Sequence, residues 1–194
     1  DVRRAIVASD DADRTVQAFT SDHGDMMGDH GLLLKGPLNL DGVTRAPLLW
    51  NDPRQASVPV SDALVSTVDI GPTILARAGV AGFNGIQGLD LTPALEAGDV
   101  VRHQLLVEQD GHVPIPLTGH WPPRLRTIVT PEWKMTVYLD QDWGELFDRT
   151  QDPHEMRNLW ADPAAQNTRS ELLWSLTQEL IRTVDRSPLP IAMG

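Results

Sequence analysis

The chain has 194 residues, 41% of them hydrophobic and 22% charged, with a formal net charge of −11 and no cysteine. That length allows one larger domain or two small ones with a real core. The acidic balance argues against nucleic acid or an anionic membrane surface as partner, the lack of an apolar run of about 18 residues argues against a spanning helix, and the lack of cysteine removes disulfides, zinc–thiolate sites and a thiol nucleophile.

Val2 to Ala8 reads as a short helix and Asp10 to Arg14 as a polar turn. Thr15 to Thr20 (TVQAFT) is β-rich and stops before Ser21-Asp22, which predicts a strand with Asp22 at its carboxyl end. In open α/β sheets that end is where ligands bind. Val43 to Trp50 is a second candidate strand, at an edge or bulge because of Pro47, and Ala63 to Val68 a third. Asp69 is then expected to cap a helix with Pro72 in its first turn and Gly79 at its end. A glycine-rich loop follows to Gly88. The alternation of strands and helices reads as part of an α/β sheet domain, whose parallel sheet would need both faces covered.

Beyond about residue 104 the pattern changes. Leu105 to Glu108 reads as a strand, and Gly111 to Pro123 as a proline-rich loop. Arg126–Val129, Trp133–Leu139 and Glu145–Phe147 read as consecutive strands of an antiparallel meander. Thr168 and Glu171 have the spacing of a capping box, and Leu172, Leu173, Leu176, Leu180, Ile181 and Val184 form an apolar helical stripe expected to pack on that meander. Trp133, Trp143, Trp160 and Trp174 are expected in packing roles. The domain expectation is therefore 1–104, the C-terminal part of an α/β domain, and 105–194, a small antiparallel sheet with a C-terminal helix.

The stretch Thr20–Gly36, TSDHGDMMGDHGLLLKG, carries Asp-His-Gly twice. Asp22 and His23 at a strand end suit a divalent metal, and equally suit a capping turn beside a surface histidine. Asp29-His30-Gly31 falls in a loop, where a turn is the simpler role. Lys35 is one of only two lysines, with Lys134. It is either solvated or close enough to a metal to neutralise a bound anion, which the acidic net charge does not forbid.

The run FTSDHGDMMGDHGLLLKGP with DGVTRAPLL resembles the C-terminal half of sulfatases, in the alkaline-phosphatase superfamily. VSTVDIGPTIL at Val65–Leu75, the stretch Gly88–Leu95 and ELFDRTQDPHEMRNLW at Glu145–Trp160 extend the resemblance in family order over nearly the whole chain. It implies that Asp22 and His23 are two metal ligands and that Lys35 contacts the sulfate and stabilises the leaving oxygen, with His30 as a loop residue or a lesser substrate contact. The expected cofactor is a divalent ion, Ca2+ or Mn2+, with Zn2+ as a further option. A histidine ligand is similar to the branch of phosphonate monoester hydrolases and choline sulfatases.

The family's nucleophile is a formylglycine made within Cys/Ser-x-Pro-x-Arg. The chain has no cysteine, and Ser187-Pro188-Leu189-Pro190 has the wrong spacing and no arginine. With two of roughly six ligands and no nucleophile, the chain alone is expected to bind metal weakly and to be inactive. It begins at Asp1 without methionine and shows no signal-peptide pattern, so it reads as one part of a longer enzyme whose compartment stays open. The expected partners are a small sulfate ester, the N-terminal half of the domain and, through an exposed sheet edge, a second copy. The segment from Glu108 to His112 and on to His120-Trp121 is a candidate border of the site. A phosphonate or phosphate ester hydrolase and a non-catalytic module are the competing readings.

Overall fold

A computed structural model of the chain describes residues 2–55, 60–111 and 123–184. Most of the proline-rich segment, with His112, His120 and Trp121, and the run Ser187–Pro190 lie outside these. The described chain forms two compact units, one from residues 2–22 and 46–102, the other from 23–45 and 103–184. No helix among the described residues is long and apolar enough to cross a membrane.

In the first unit, α1 (Val2–Val7) is followed by a 3-10 turn at Ala12–Arg14. Strand β1 (Gln17–Thr20) pairs antiparallel with β2 (Leu48–Asn51), Thr20 opposite Leu48. The expected strand from Val43 is shorter, because Pro47 forces extended backbone only from its own neighbourhood onward. Ala63–Ser66 is not a strand. Ser66 instead opens a 3-10 turn, Thr67–Asp69, in a capping box with Asp69, so Asp69 sits three residues inside the cap rather than on it. Its buried carboxylate accepts from the backbone N–H of Ser66 and of Leu89 and takes both guanidinium nitrogens of Arg102, at 2.5 and 2.6 Å. Those four bonds tie the start of α3 (Ile70–Arg77) to the glycine-rich loop. Gly79 ends α3 in the left-handed region, as its position suggests. A short helix, α4 (Thr92–Ala97), follows with Pro93 in its first turn.

The second unit is a meander of four antiparallel strands in the order β3 (Leu105–Gln109), β4 (Leu125–Val129), β5 (Trp133–Tyr138), β6 (Gly144–Asp148). Side chains alternate across a strand, so each strand serves two layers. On one face Ile128, Met135 and Leu146 pack with Ala165, Leu172 and Leu176. The last two belong to α5 (Gln166–Arg182). That helix is reached through a 3-10 turn whose N–H of Ala164 is capped by Asp162, so Thr168 and Glu171 lie inside it and form no capping box. Only part of the apolar stripe is core: Leu172 and Leu176 are buried, while Ile181 and Val184 are exposed. Trp133 and Trp160 pack on this core, but Trp174 is 67% exposed and Trp143 rests on Tyr138 near the surface, against the expected packing role.

On the sheet's other face lies the segment 23–45. Met26, Leu40 and Val43 bury against Phe147 of β6. Each such side chain contributes about 1.5–3 kcal/mol. Beside them Asn39 donates to Thr127 (2.9 Å), whose hydroxyl meets that of Thr136 across the strands (2.8 Å). A one-turn helix, α2 (Asp41–Thr44), occupies the place where the sequence predicts the start of a strand. Tertiary bonds to Asp41 and Thr44 override the β-propensity of Val43 and Thr44.

Candidate functional site

Asp22 follows β1, two residues past its last member, with its carboxylate exposed and Ser21 Oγ 3.4 Å from Oδ1. His23 comes next and starts the segment that covers the meander. The two Asp-His-Gly triplets then part company. A Cβ on Gly24 would stand 2.2 Å from the carbonyl oxygen of Gly42, so glycine is there to let two backbones touch. The Gly24 N–H donates to the Val43 carbonyl at 2.8 Å. In the second triplet Asp29–Gly31 is a 3-10 turn with His30 at φ +52 and Gly31 at φ +73. His30 is exposed there, on a backbone turn.

Lys35 lies twelve residues after His23, and the fold brings them together: Nζ is 2.8 Å from His23 Nε2. The other ring nitrogen, Nδ1, is 2.7 Å from the Gly24 carbonyl oxygen. A carbonyl only accepts, so Nδ1 carries the ring proton, and the Nε2 lone pair receives the lysine ammonium. The sequence places an imidazole and a cation in one loop. The structure adds the tautomer, which leaves Nε2 as the donor atom that a metal or an ammonium could use.

This fit bears on the expected metal. A carboxylate and an imidazole nitrogen are suitable donors for a divalent ion, and the nitrogen favours manganese or zinc over calcium. Among the described residues no group of three or more His, Cys, Asp or Glu side chains converges as a cage. Lys35 is exposed, which leaves its charge reachable by an anion. In α2, Asp41 is half-buried. Burial pushes its carboxyl up, but the charge and hydrogen bond of Lys134, with Arg149 and Arg45, outweigh this and hold it below the usual range.

Residues 28–182 match the family described as N-sulphoglucosamine sulphohydrolase, C-terminal. The chain belongs to this sulfatase family. It is 33% identical over 159 residues to the uncharacterized sulfatase YidJ of Escherichia coli, covering 79% of this chain and 30% of that protein. It is 28% identical over 187 residues to a Delta 4,5-hexuronate-2-O-sulfatase of Bacteroides thetaiotaomicron, covering 95% of this chain and 38% of that one. The solved phosphonate monoester hydrolase of Agrobacterium radiobacter superposes with a TM-score of 0.79 at 25% identity, over 96% of this chain and 39% of its own. This sulfatase chain thus spans between a quarter and two fifths of the length of the proteins it matches. Its fold is the mixed α/β architecture of the alkaline-phosphatase superfamily, seen here with antiparallel pairing in both of its described sheets.

Proposed function

We propose that this chain supplies part of the site of a sulfuric ester hydrolase, with Asp22 and His23 as metal ligands and Lys35 as the cation that receives the sulfate. The observation that carries this is the 2.8 Å approach of Lys35 Nζ to His23 Nε2, at a segment that follows a strand end. Cleaving a sulfate ester builds negative charge on the ester oxygen, and a fixed ammonium is a suitable stabiliser for it. A divalent ion held by Asp22 and His23 would add Lewis-acid charge on the same anion. Lys35 then donates to a sulfate oxygen and orients the ester, and His23, with its proton committed to the Gly24 carbonyl, keeps Nε2 as a lone-pair donor.

The chain holds no Cys/Ser-x-Pro-x-Arg run. The reading therefore includes a formylglycine nucleophile contributed from outside these 194 residues, and it makes the isolated chain inactive. A second reading, a phosphonate or phosphate ester hydrolase, is favoured by one observation: the nitrogen donor at His23, together with the likeness to a phosphonate monoester hydrolase. The test is hydrolysis of matched aryl sulfate and aryl phosphonate monoesters by the full-length protein, with and without Lys35→Ala. Preferential sulfate hydrolysis that collapses in Lys35→Ala supports the first reading. A preference for phosphonate moves the assignment to the second. No turnover of either leaves a non-catalytic module.

A further inference from the structure

Lys134 is the second residue of β5, with 1% of its surface exposed. Alternation puts it with Thr136 on the face away from α5. Its Nζ donates to Asp41 Oδ1 at 2.8 Å and to Thr44 Oγ1 at 3.3 Å. It also stands 2.8 Å from Glu155 Oε1, an ion contact outside hydrogen-bond alignment. The other oxygen of Glu155 accepts the backbone N–H of Asp41 at 2.7 Å. Glu155 is itself buried, with φ +56, a backbone setting that its contacts must maintain. The one-turn helix α2 is therefore held at its first residue by Glu155 and at its first and last side chains by Lys134.

Burying a cation between two carboxylates is an expensive way to join a segment to a sheet. Well-packed apolar side chains of the same volume would often hold it as well or better. What directional ionic bonds add is one defined placement of α2. That placement reaches the candidate site by a short chain of bonds. Val43 within α2 accepts from the Gly24 N–H (2.8 Å), and Gly24 accepts from His23 Nδ1 (2.7 Å). His23 Nε2 then meets Lys35 (2.8 Å).

We infer that Lys134 and Glu155 are positioning residues for the candidate site: through α2 and Gly24 they fix the tautomer and direction of the His23 ring, and with it the place where His23 and Lys35 meet an anion. The purpose of this array rests on the proposed function; its geometry does not. Neither residue touches the substrate.

The test uses full-length protein labelled with [15N]histidine, held at one pH, with the His23 ring signals assigned by their loss in His23→Gln. The wild type shows one protonated and one unprotonated ring nitrogen. In Glu155→Gln, which keeps the shape but removes the charge, the single-tautomer signature is lost and both nitrogens move toward an averaged position. The melting curve stays cooperative. In the same variant kcat falls about 10- to 100-fold while KM changes little, as for a misplaced catalytic group. If Glu155→Gln fails to fold, the charge-balanced double variant Lys134→Met/Glu155→Gln takes its place. A folded variant that keeps the wild-type His23 signature overturns the inference, whatever its activity. A wild type with the single-tautomer signature but no ester hydrolysis instead overturns the proposed function and leaves the positioning intact.

Discussion

The loop around Lys35 and the polar layer around Lys134 place the chain's two lysines in opposite surroundings. Lys35 is exposed, with one ring nitrogen 2.8 Å away. Lys134 is enclosed and meets Asp41, Thr44 and Glu155 at once. A cation stripped of water has to be fully paired, so the second lysine is bound to its neighbours and has no charge to spare for a ligand. An exposed cation keeps its hydration, contributes little to stability, and can exchange water for an anion. The difference separates a lysine fixed by its neighbours from one whose charge faces solvent within the same unit.

Removing the two lysines in turn should give opposite outcomes. Lys134→Met removes the ammonium between Asp41 and Glu155, leaving Asp41 only the longer Arg149 contact at 3.8 Å, and should cost about 3–5 kcal/mol in urea unfolding. A loss below about 1 kcal/mol would mean that the layer is not a paired ionic array. Lys35→Ala should shift stability by no more than about 0.5 kcal/mol, yet lower kcat of the full-length protein about 10²- to 10³-fold. Unchanged turnover would remove Lys35 from the site.

Gly24→Ala probes the contact that joins the two regions. Its Cβ has no room beside the Gly42 carbonyl, so a loss of about 1–3 kcal/mol is expected, with loss of amide-exchange protection at residue 24. Gly28→Ala, where a Cβ meets nothing within 4 Å, measures the separate penalty of a left-handed backbone.

The smallest effect concerns pH. The Asp41 pKa is lowered on folding, so its contribution is present above the unfolded carboxylate value and disappears as pH falls through the folded one. Glu145 runs the other way. Burial raises its pKa, and the neighbouring Glu155 adds to this against bonds from Tyr138 and Thr136 and the charge of Lys134. Its contribution is present below the ordinary carboxylate value and is lost as pH rises through the folded one. Glu145→Gln should therefore stabilise the chain at pH 7 by less than about 1 kcal/mol and lose that advantage near pH 4. A destabilised variant at pH 7 would show that the Tyr138–Glu145 hydrogen bond (2.9 Å) outweighs the buried charge.

Much of the second unit was legible because its strands are local patterns. Trp133 to Tyr138 alternates two faces, and the turn residues around it bound the strand. The end of α3 was legible too, since Gly79 supplies a left-handed backbone where a helix must stop. The misreadings fall where distant residues decide. Val43 and Thr44 have strand propensity but are turned into α2 by Glu155 and Lys134, about 90 to 115 residues away along the chain. Ser66 and Asp69 share one capping box, and spacing alone did not say which of them was the cap. Trp174 lies two residues from both Leu172 and Leu176, so helical spacing turns it away from the face they bury. Of the candidate site, Asp22, His23, His30 and Lys35 could all be named from the sequence, but the pairing of His23 with Lys35 could not.

The sequence by itself determined the family, through blocks of side chains in a fixed order, and the residue types available for chemistry: one carboxylate and one imidazole after a strand, and two lysines. Those are properties of single residues and their near neighbours. The tertiary structure alone decided which lysine stays in water and which is buried, which ring nitrogen of His23 keeps its lone pair, and why the first Asp-His-Gly needs its glycine. Lys134 is enclosed by carboxylates from other segments and Gly24 by the Gly42 carbonyl, while the His23 ring is set by the adjacent Gly24 carbonyl together with Lys35; no local pattern encodes where these groups meet.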